Sequence, residues 1–163
     1  FKEAYFNRFH NTWHHGDFAE IKKTRGFIIH GRSDTTLNPG GVRLGTAEIY
    51  SEVEKFKEIK ESIVVGQSWD NDVRIVLFIV MNEKFILSED LLKKIKLQIR
   101  KNASPRHVPS KVIVVKDIPR TKSGKIVELA VKNTIEGNNI KNKEALANPK
   151  ALEQFKNLKE LNI

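Results

Sequence analysis

Three clusters in this chain have the residue types and spacing that phosphate and nucleotide chemistry uses. In Pro119-Arg120-Thr121-Lys122-Ser123-Gly124-Lys125, a mobile Ser-Gly pair presents the Lys125 ammonium at the tip of a loop. A cation held there can bridge two anions and offset charge developing at a reacting phosphorus. An exposed surface lysine has the same residue types. A phosphate-binding P-loop also ends in Gly-Lys, but it needs Gly five residues before that pair and Ser or Thr after it. Pro119 and Ile126 occupy those positions, so this is not a P-loop.

The second cluster is Gly31-Arg32-Ser33-Asp34-Thr35-Thr36-Leu37-Asn38-Pro39-Gly40-Gly41-Val42-Arg43. Arg32 offers a rigid fork of donors suited to ribose or phosphate oxygens, or to a surface ion pair. Asp34, just past an expected strand, is placed to act as a backbone pivot. Gly40 and Gly41 let a ligand approach the main chain where a β-carbon would block it, and Arg43 adds a cation two residues on. A plain turn accounts for the glycines equally well, though not for their place between two arginines. The third cluster, Trp13-His14-His15-Gly16-Asp17, sets a carboxylate beside a glycine. Asp17 there can accept paired hydrogen bonds from two ribose hydroxyls, or serve as a turn residue. His10 and His14 stand one helical turn apart, but with His15 they lack a further ligand cluster, and no metal site is expected.

These residues need elements to hold them. Residues 26–30 read as a short strand, and Asn38-Pro39-Gly40-Gly41 as a turn. Thr46 is placed to cap a helix carrying Ile49, Val53 and Phe56 on one face. Residues 63–65 and 73–81 read as strands, and since Arg74 is the sole charge in the second, that strand is expected to be covered on both faces. Ser88 caps a helix with Glu89 and Asp90 in its first turn and Leu91, Ile95 and Ile99 stacked inward. Residues 112–115 form another strand and residues 126–135 a third helix, which leaves Lys125 on the loop ahead of it. After the Gly137-Asn138-Asn139 break the chain reads as a peripheral extension with a short helix beyond Pro149.

Length and charge bound the possible functions. The 163 residues suit one domain with flanking material, and 39% apolar content excludes wholesale disorder. Absence of Cys removes disulfides and thiolate chemistry and favours a reducing compartment. No apolar run is long enough to span a membrane, and Phe1 heads a polar segment without a signal-peptide pattern, so a cytoplasmic location is expected. Because the chain begins without Met, it reads as part of something longer. The net charge of +9 is concentrated, with 13 Lys/Arg against 4 Asp/Glu in residues 84–132. Such a block attracts polyanions, either a multiply phosphorylated nucleotide or nucleic acid. A small basic RNA-binding module therefore stands as an alternative. Against it, no Gly-X-X-Gly loop lies in the helical context of KH-type domains, and aromatics are not interleaved with the lysines.

Taken together, the stretch from Gly31 to Ile49 and the Pro119–Lys125 loop resemble the hinge, glycine loop and lysine loop of adenylate-forming acyl-CoA synthetases. The likeness runs over nearly the whole chain. It is narrower toward the acetoacetate-activating branch, on Asn38-Pro39-Gly40-Gly41-Val42-Arg43-Leu44-Gly45-Thr46-Ala47-Glu48-Ile49-Tyr50, Ala103-Ser104-Pro105-Arg106-His107-Val108-Pro109, Gly124-Lys125-Ile126-Val127-Glu128-Leu129-Ala130-Val131-Lys132 and the tail from Asn148-Pro149. His15 stands where the family's commoner pattern has Thr.

The resemblance implies an α+β fold, the small C-terminal lid domain, with a mostly antiparallel sheet flanked by helices. It implies the tail of a large N-terminal AMP-binding domain over residues 1–33, the lid over 34–136 and a C-terminal extension over 137–163. Asp17 and Arg32 would hold the ATP ribose, and Asp34 would be the hinge. Gly41 would line the CoA tunnel, Arg43 would lie near nucleotide phosphate, Arg100 near CoA phosphate, and Lys125 would serve adenylation. The implied activity is ligation of acetoacetate, or another short-chain acid, to CoA through an acyl-adenylate. ATP and CoA are the co-substrates, Mg²⁺ is held by the N-terminal domain, nucleic acid is not a partner, and this chain alone is inactive.

Overall fold

A computed structural model describes residues 2–140 and 143–163. Phe1, which heads the first expected segment, and residues 141–142, within the expected C-terminal extension, lie outside the described residues.

The centre of the fold is a hairpin. Strands β3 (Ile59–Trp69) and β4 (Asp72–Met81) pair antiparallel, and β5 (Lys111–Val114) joins the other edge of β4 in parallel, giving the order β3-β4-β5. The turn between β3 and β4 puts Asp70 and Asn71 both at positive φ, the backbone that matches strand twist in a two-residue hairpin loop. Successive side chains of a strand point to opposite faces, and here both faces are apolar. Val76, Phe78 and Val80 enter one core cluster, while Ile75, Leu77 and Ile79 enter the other. The uninterrupted apolar run of β4 is the sequence signature of this double burial.

Helices cover the two faces. On one side lie α2 (Ala47–Val53), through Ile49 and Val53, and α3 (Glu89–Asn102), through Leu91, Ile95 and Ile99. Ser88 caps α3 as expected, its hydroxyl accepting from the Leu91 amide at 3.2 Å. Glu52 ties the two helices together. Hydrogen bonds from Asn102 (2.8 Å) and Lys55 (2.6 Å) hold its carboxyl below the usual carboxylate range. On the other side lies α4 (Glu128–Ile135), with Ala130 and Val131. Beside it pack residues 146–161, where the segment expected to be peripheral supplies Leu146, Leu152, Phe155 and Leu161 to the core. Phe155 is fully buried, edge-on to Phe78 at 4.9 Å between centroids. The periodicity of that tail is hidden because its turns are 3₁₀ over Pro149–Phe155 rather than α-helical.

Ahead of this sandwich come a helical turn, α1 (Lys2–Tyr5), and a two-stranded antiparallel ribbon of β1 (Asp17–Ile21) and β2 (Phe27–Arg32). β1 is exposed and charged, which is why its sequence gave no strand signal. Ile21, Phe27, Ile28 and Ile29 stay exposed on the ribbon, at 69%, 70%, 39% and 55%. Thr46 differs from its expected role. It sits at the start of α2 in helical backbone with no hydroxyl cap, and its Oγ1 instead lies against the ribbon at Gly31. The helix expected over 126–135 begins only at Glu128, because Ile126 pairs with Arg120 in an antiparallel bridge.

One polar contact joins both helical layers across the sheet edge. The Tyr50 hydroxyl donates to Glu128 Oε1 at 2.5 Å and accepts from the Val64 amide at 3.0 Å. Burial first, then the Glu128 charge, raises the Tyr50 pKa well above its ordinary value.

Two stability outcomes are expected. Phe155→Ala should lower the unfolding free energy in urea by about 3–5 kcal/mol, since the tail is core. Tyr50→Phe should cost about 1–3 kcal/mol by orphaning Glu128 and the Val64 amide. Because the folded pKa is raised, the Tyr50 contribution is complete below the unfolded value of about 10 and fades as pH rises through the folded one. Urea melts across alkaline pH should therefore show that loss in the parent protein and its absence in Tyr50→Phe.

Candidate functional site

The predicted residues fall into two exposed loops and a ribbon end. At the ribbon end, Asp17 opens β1 and stands across from Arg32, the last residue of β2. Asp17 Oδ2 meets His15 Nδ1 at 2.5 Å, and Oδ1 lies 3.7 Å from Arg32 Nη1. Arg32 also donates to the His15 carbonyl at 2.9 Å and to Asp34 Oδ1 at 3.3 Å and Oδ2 at 3.4 Å. Gly16 is needed for this packing. Its φ is +89°, and a β-carbon there would come within 2.7 Å of Arg32 Nη2. Asp17, Arg32 and Asp34 thus form one half-exposed cluster in which two carboxylates flank a guanidinium. The ribbon end is tied down where the Ser33 amide and hydroxyl both donate to the Gly16 carbonyl, at 2.8 and 3.0 Å.

The glycine loop lies at the turn end of the β3–β4 hairpin. Asp72, the first residue of β4, accepts the Gly40 amide on both carboxylate oxygens at 2.9 Å. The Arg106 guanidinium comes within 3.4 Å of where a Gly40 β-carbon would sit. Gly41 is different: at φ +75° its would-be β-carbon meets nothing within 4 Å, so the main chain there is bare to solvent. Beside the loop, Pro39, Trp69, Asp72, Arg74 and Arg106 line a cleft of about 380 Å³. Its wall is braced by the Arg74 guanidinium stacked 3.6 Å over the Trp69 ring.

The lysine loop lies at the other end of the hairpin. Thr121 and Lys125 close it, with the Thr121 amide donating to the Lys125 carbonyl at 2.8 Å and the Lys125 amide to Thr121 Oγ1 at 3.1 Å. Arg120 Nη1 donates to the Gly124 carbonyl at 3.0 Å, and Arg120 Nη2 pairs with Glu61 at 3.0 Å. The Ser-Gly pair, read from sequence as mobile, is therefore held on several sides. Lys125 stands at the closing end of the loop rather than its tip, and among the described residues its exposed ammonium has no hydrogen bond or ion pair. Glu61 and Trp69, which mark the two ends, are eight residues apart on one strand, or about 26 Å at about 3.3 Å per residue.

Arg43 and Arg100 are exposed, and neither forms a hydrogen bond or ion pair among the described residues. Arg100 lies in the last turn of α3. No hydrogen bond joins either of them, or Lys125, to the Asp17–Arg32–Asp34 cluster. Asp72, Arg106 and Glu61 were missed by residue reading. The Asp70-Asn71 pair between two apolar runs was the available signal for a hairpin that would bring Asp72 to the glycine loop. Among the described residues, no group of three or more His, Asp or Glu side chains is arranged to hold a metal ion, and no helix is long and apolar enough to cross a membrane.

Comparison with known proteins gives the family context. Residues 48–125 match the AMP-binding enzyme C-terminal domain. Acetoacetyl-coenzyme A synthetase of Rhizobium meliloti (strain 1021) is 59% identical over 161 residues, which is 99% of this chain and 25% of that protein. Acetoacetyl-CoA synthetase of Xenopus tropicalis is 47% identical over 163 residues, 99% of this chain and 24% of that protein. The solved acetoacetyl-CoA synthetase from Streptomyces lividans superposes with a TM-score of 0.87 at 38% identity, covering 96% of this chain and 24% of its own. The chain thus spans about a quarter of the length of the relatives it matches.

The Asp72 anchor makes the glycine loop testable by itself. In Asp72→Ala, loss of a hydrogen bond to a charged group should speed hydrogen exchange of the Gly40 amide about tenfold or more, read by NMR.

Proposed function

We propose that this chain, whose residues 48–125 match the AMP-binding enzyme C-terminal domain and which is 59% identical over 161 residues to an acetoacetyl-coenzyme A synthetase, forms the lid of an acetoacetate–CoA ligase of the adenylate-forming acyl-CoA synthetase family. The observation that carries the reading is the placement of two unlike loops, an unpaired ammonium and a bare glycine backbone, at opposite ends of one rigid hairpin. On this reading residues 1–33 are the tail of the large AMP-binding domain, 34–136 the lid, and 137–163 an extension whose Leu146, Leu152, Phe155 and Leu161 pack into the lid's core. The exposed apolar ribbon supports that division, since an isolated two-stranded ribbon is marginal and large exposed apolar patches mark surfaces that another body covers.

The reaction has two halves. Acetoacetate attacks the α-phosphate of ATP, forming the acyl-adenylate and releasing pyrophosphate, and the CoA thiol then displaces AMP to give the thioester. Both partners of the first half are anions. The Lys125 ammonium offsets their repulsion and the charge developing at phosphorus, and loss of one preorganised donor costs roughly 2.7–4 kcal/mol in the barrier. Asp17, braced by His15, accepts from the ribose hydroxyls, and Arg32 donates to ribose oxygen. Arg43 takes nucleotide phosphate. The second half needs an approach for the thiol, and Gly41 gives the pantetheine a path along main chain with no side chain in the way, while Arg100 meets CoA phosphate. Rotation about Asp34 brings one end of the hairpin and then the other to the same adenylate. Among the described residues no group of three or more His, Asp or Glu side chains is arranged to hold a metal ion, and on this reading Mg²⁺ is held by the N-terminal domain. A cytoplasmic location fits this chemistry and the absence of Cys.

In the full-length enzyme, Lys125→Ala should lower acetoacetate-dependent ATP–pyrophosphate exchange about 10²- to 10³-fold and spare thioester formation from supplied acetoacetyl-adenylate. Gly41→Leu should do the reverse. Equal loss of both halves in both variants contradicts the two-ended lid.

A further inference from the structure

A chain of polar side chains outside the two loops runs across the hinge. Glu48, in the first turn of α2, offers each carboxylate oxygen to a different histidine: Oε1 to His30 Nδ1 at 3.1 Å and Oε2 to His107 Nε2 at 3.3 Å. An ionised carboxylate only accepts, so both histidines donate to it. His30 lies in β2, before Asp34, and its other nitrogen meets Glu20 Oε2 of β1 at 3.3 Å, while Lys22 pairs with Glu20 Oε1 at 2.7 Å. His107 lies after the hinge and is held by Ser104 Oγ at 2.8 Å on Nδ1. Backbone supports the same junction, for a β-carbon on Gly45 would fall 2.3 Å from the His30 carbonyl oxygen. None of these side chains has a part in the two-loop chemistry.

We propose that Glu48 is a positioning residue, which latches the lid to the ribbon in the orientation that offers the glycine loop, and so favours the thioester-forming half of the reaction. The inference rests on the lid reading above. The chain from His30 to Glu48 passes through Asp34, so rotation there carries Glu48 away from His30. His107 and Glu48 both follow the hinge and move together, so His107 keeps the carboxylate aimed while only the His30 bond is made and broken. The direction of the bias follows from neighbours. His107 adjoins Arg106, whose guanidinium lies at Gly40, so the end of the hairpin clasped to the ribbon is the glycine-loop end. The lysine loop is at the other end of the hairpin, beside Glu61. A contact present in one of two orientations shifts the balance toward it by its own differential free energy.

The test uses the full-length enzyme with Glu48→Gln, His30→Gln and the double variant. Each single change should slow thioester formation from acetoacetyl-adenylate about tenfold, leave pyrophosphate exchange in place, and speed hydrogen exchange of the Ser33 and Thr35 amides at the hinge; the double should be no slower than either single, as for partners in one contact. His30→Gln alters the ribbon and leaves the lid core untouched, so a defect shared with Glu48→Gln does not come from misfolding. Single effects that multiply in the double variant, equal slowing of both halves, or unchanged hinge exchange overturn the latch. If Lys125→Ala and Gly41→Leu still separate the two halves, the latch alone has failed. If they do not, the lid reading has failed with it.

Discussion

Burial of the β3–β4 hairpin on both faces is the constraint from which the other features follow. A strand that alternates apolar residues into two cores must be covered twice, so helices are needed on each side, and the C-terminal tail completes the cover where α4 is too short. The polar ends of the hairpin cannot share in that burial. They become the places where loops are tied down, at Asp72 on one end and Glu61 on the other. Separation of the two loops is therefore a consequence of the length of a buried strand pair, and a core packed at that density does not let the loops drift toward each other.

Charge is divided along the same lines. Arg32 is engaged by two carboxylates and a carbonyl, Arg120 by Glu61 and the Gly124 carbonyl, and Arg74 by Gln67 and the Leu161 and Ile163 carbonyls. These bonds brace the ribbon end, the lysine loop and the C-terminal segment, while the Arg32 side chain stays 49% exposed. Among the described residues Lys125, Arg100 and Arg43 make no such bonds and stay open to solvent, which leaves their positive charge available to an anionic ligand. Within the basic block of residues 84–132, Arg120 is used structurally while Arg100 and Lys125 stay open, and composition alone does not separate the two uses.

The ribbon is the least self-sufficient part of the chain. It exposes Ile21, Phe27 and Ile29, yet its His30 and Gly31 are fitted closely against Gly45, Thr46 and Glu48. A segment with one unsatisfied apolar face and one tailored polar face suits a junction between two bodies. Its contact with α2 depends on direction-sensitive hydrogen bonds rather than on apolar area, so it can be remade without exposing a core.

Local pattern was enough for a good part of this protein. The apolar run of β4, the Ser88 cap, the inward face of α3 and the loop bearing Lys125 are all set by neighbours within a few residues, where periodicity and capping chemistry act. The motif spacing that marks the family was legible for the same reason. What the sequence could not show were contacts between distant positions: Asp72 on Gly40, Glu61 on Arg120, Glu48 between His30 and His107, and Phe155 on Phe78. Each joins residues at least 18 positions apart, and each partner is an ordinary polar or apolar residue in its own stretch of chain. Only the folded arrangement brings them within bonding distance, because hydrogen bonds and packing act over a few ångströms in space and carry no signature along the chain.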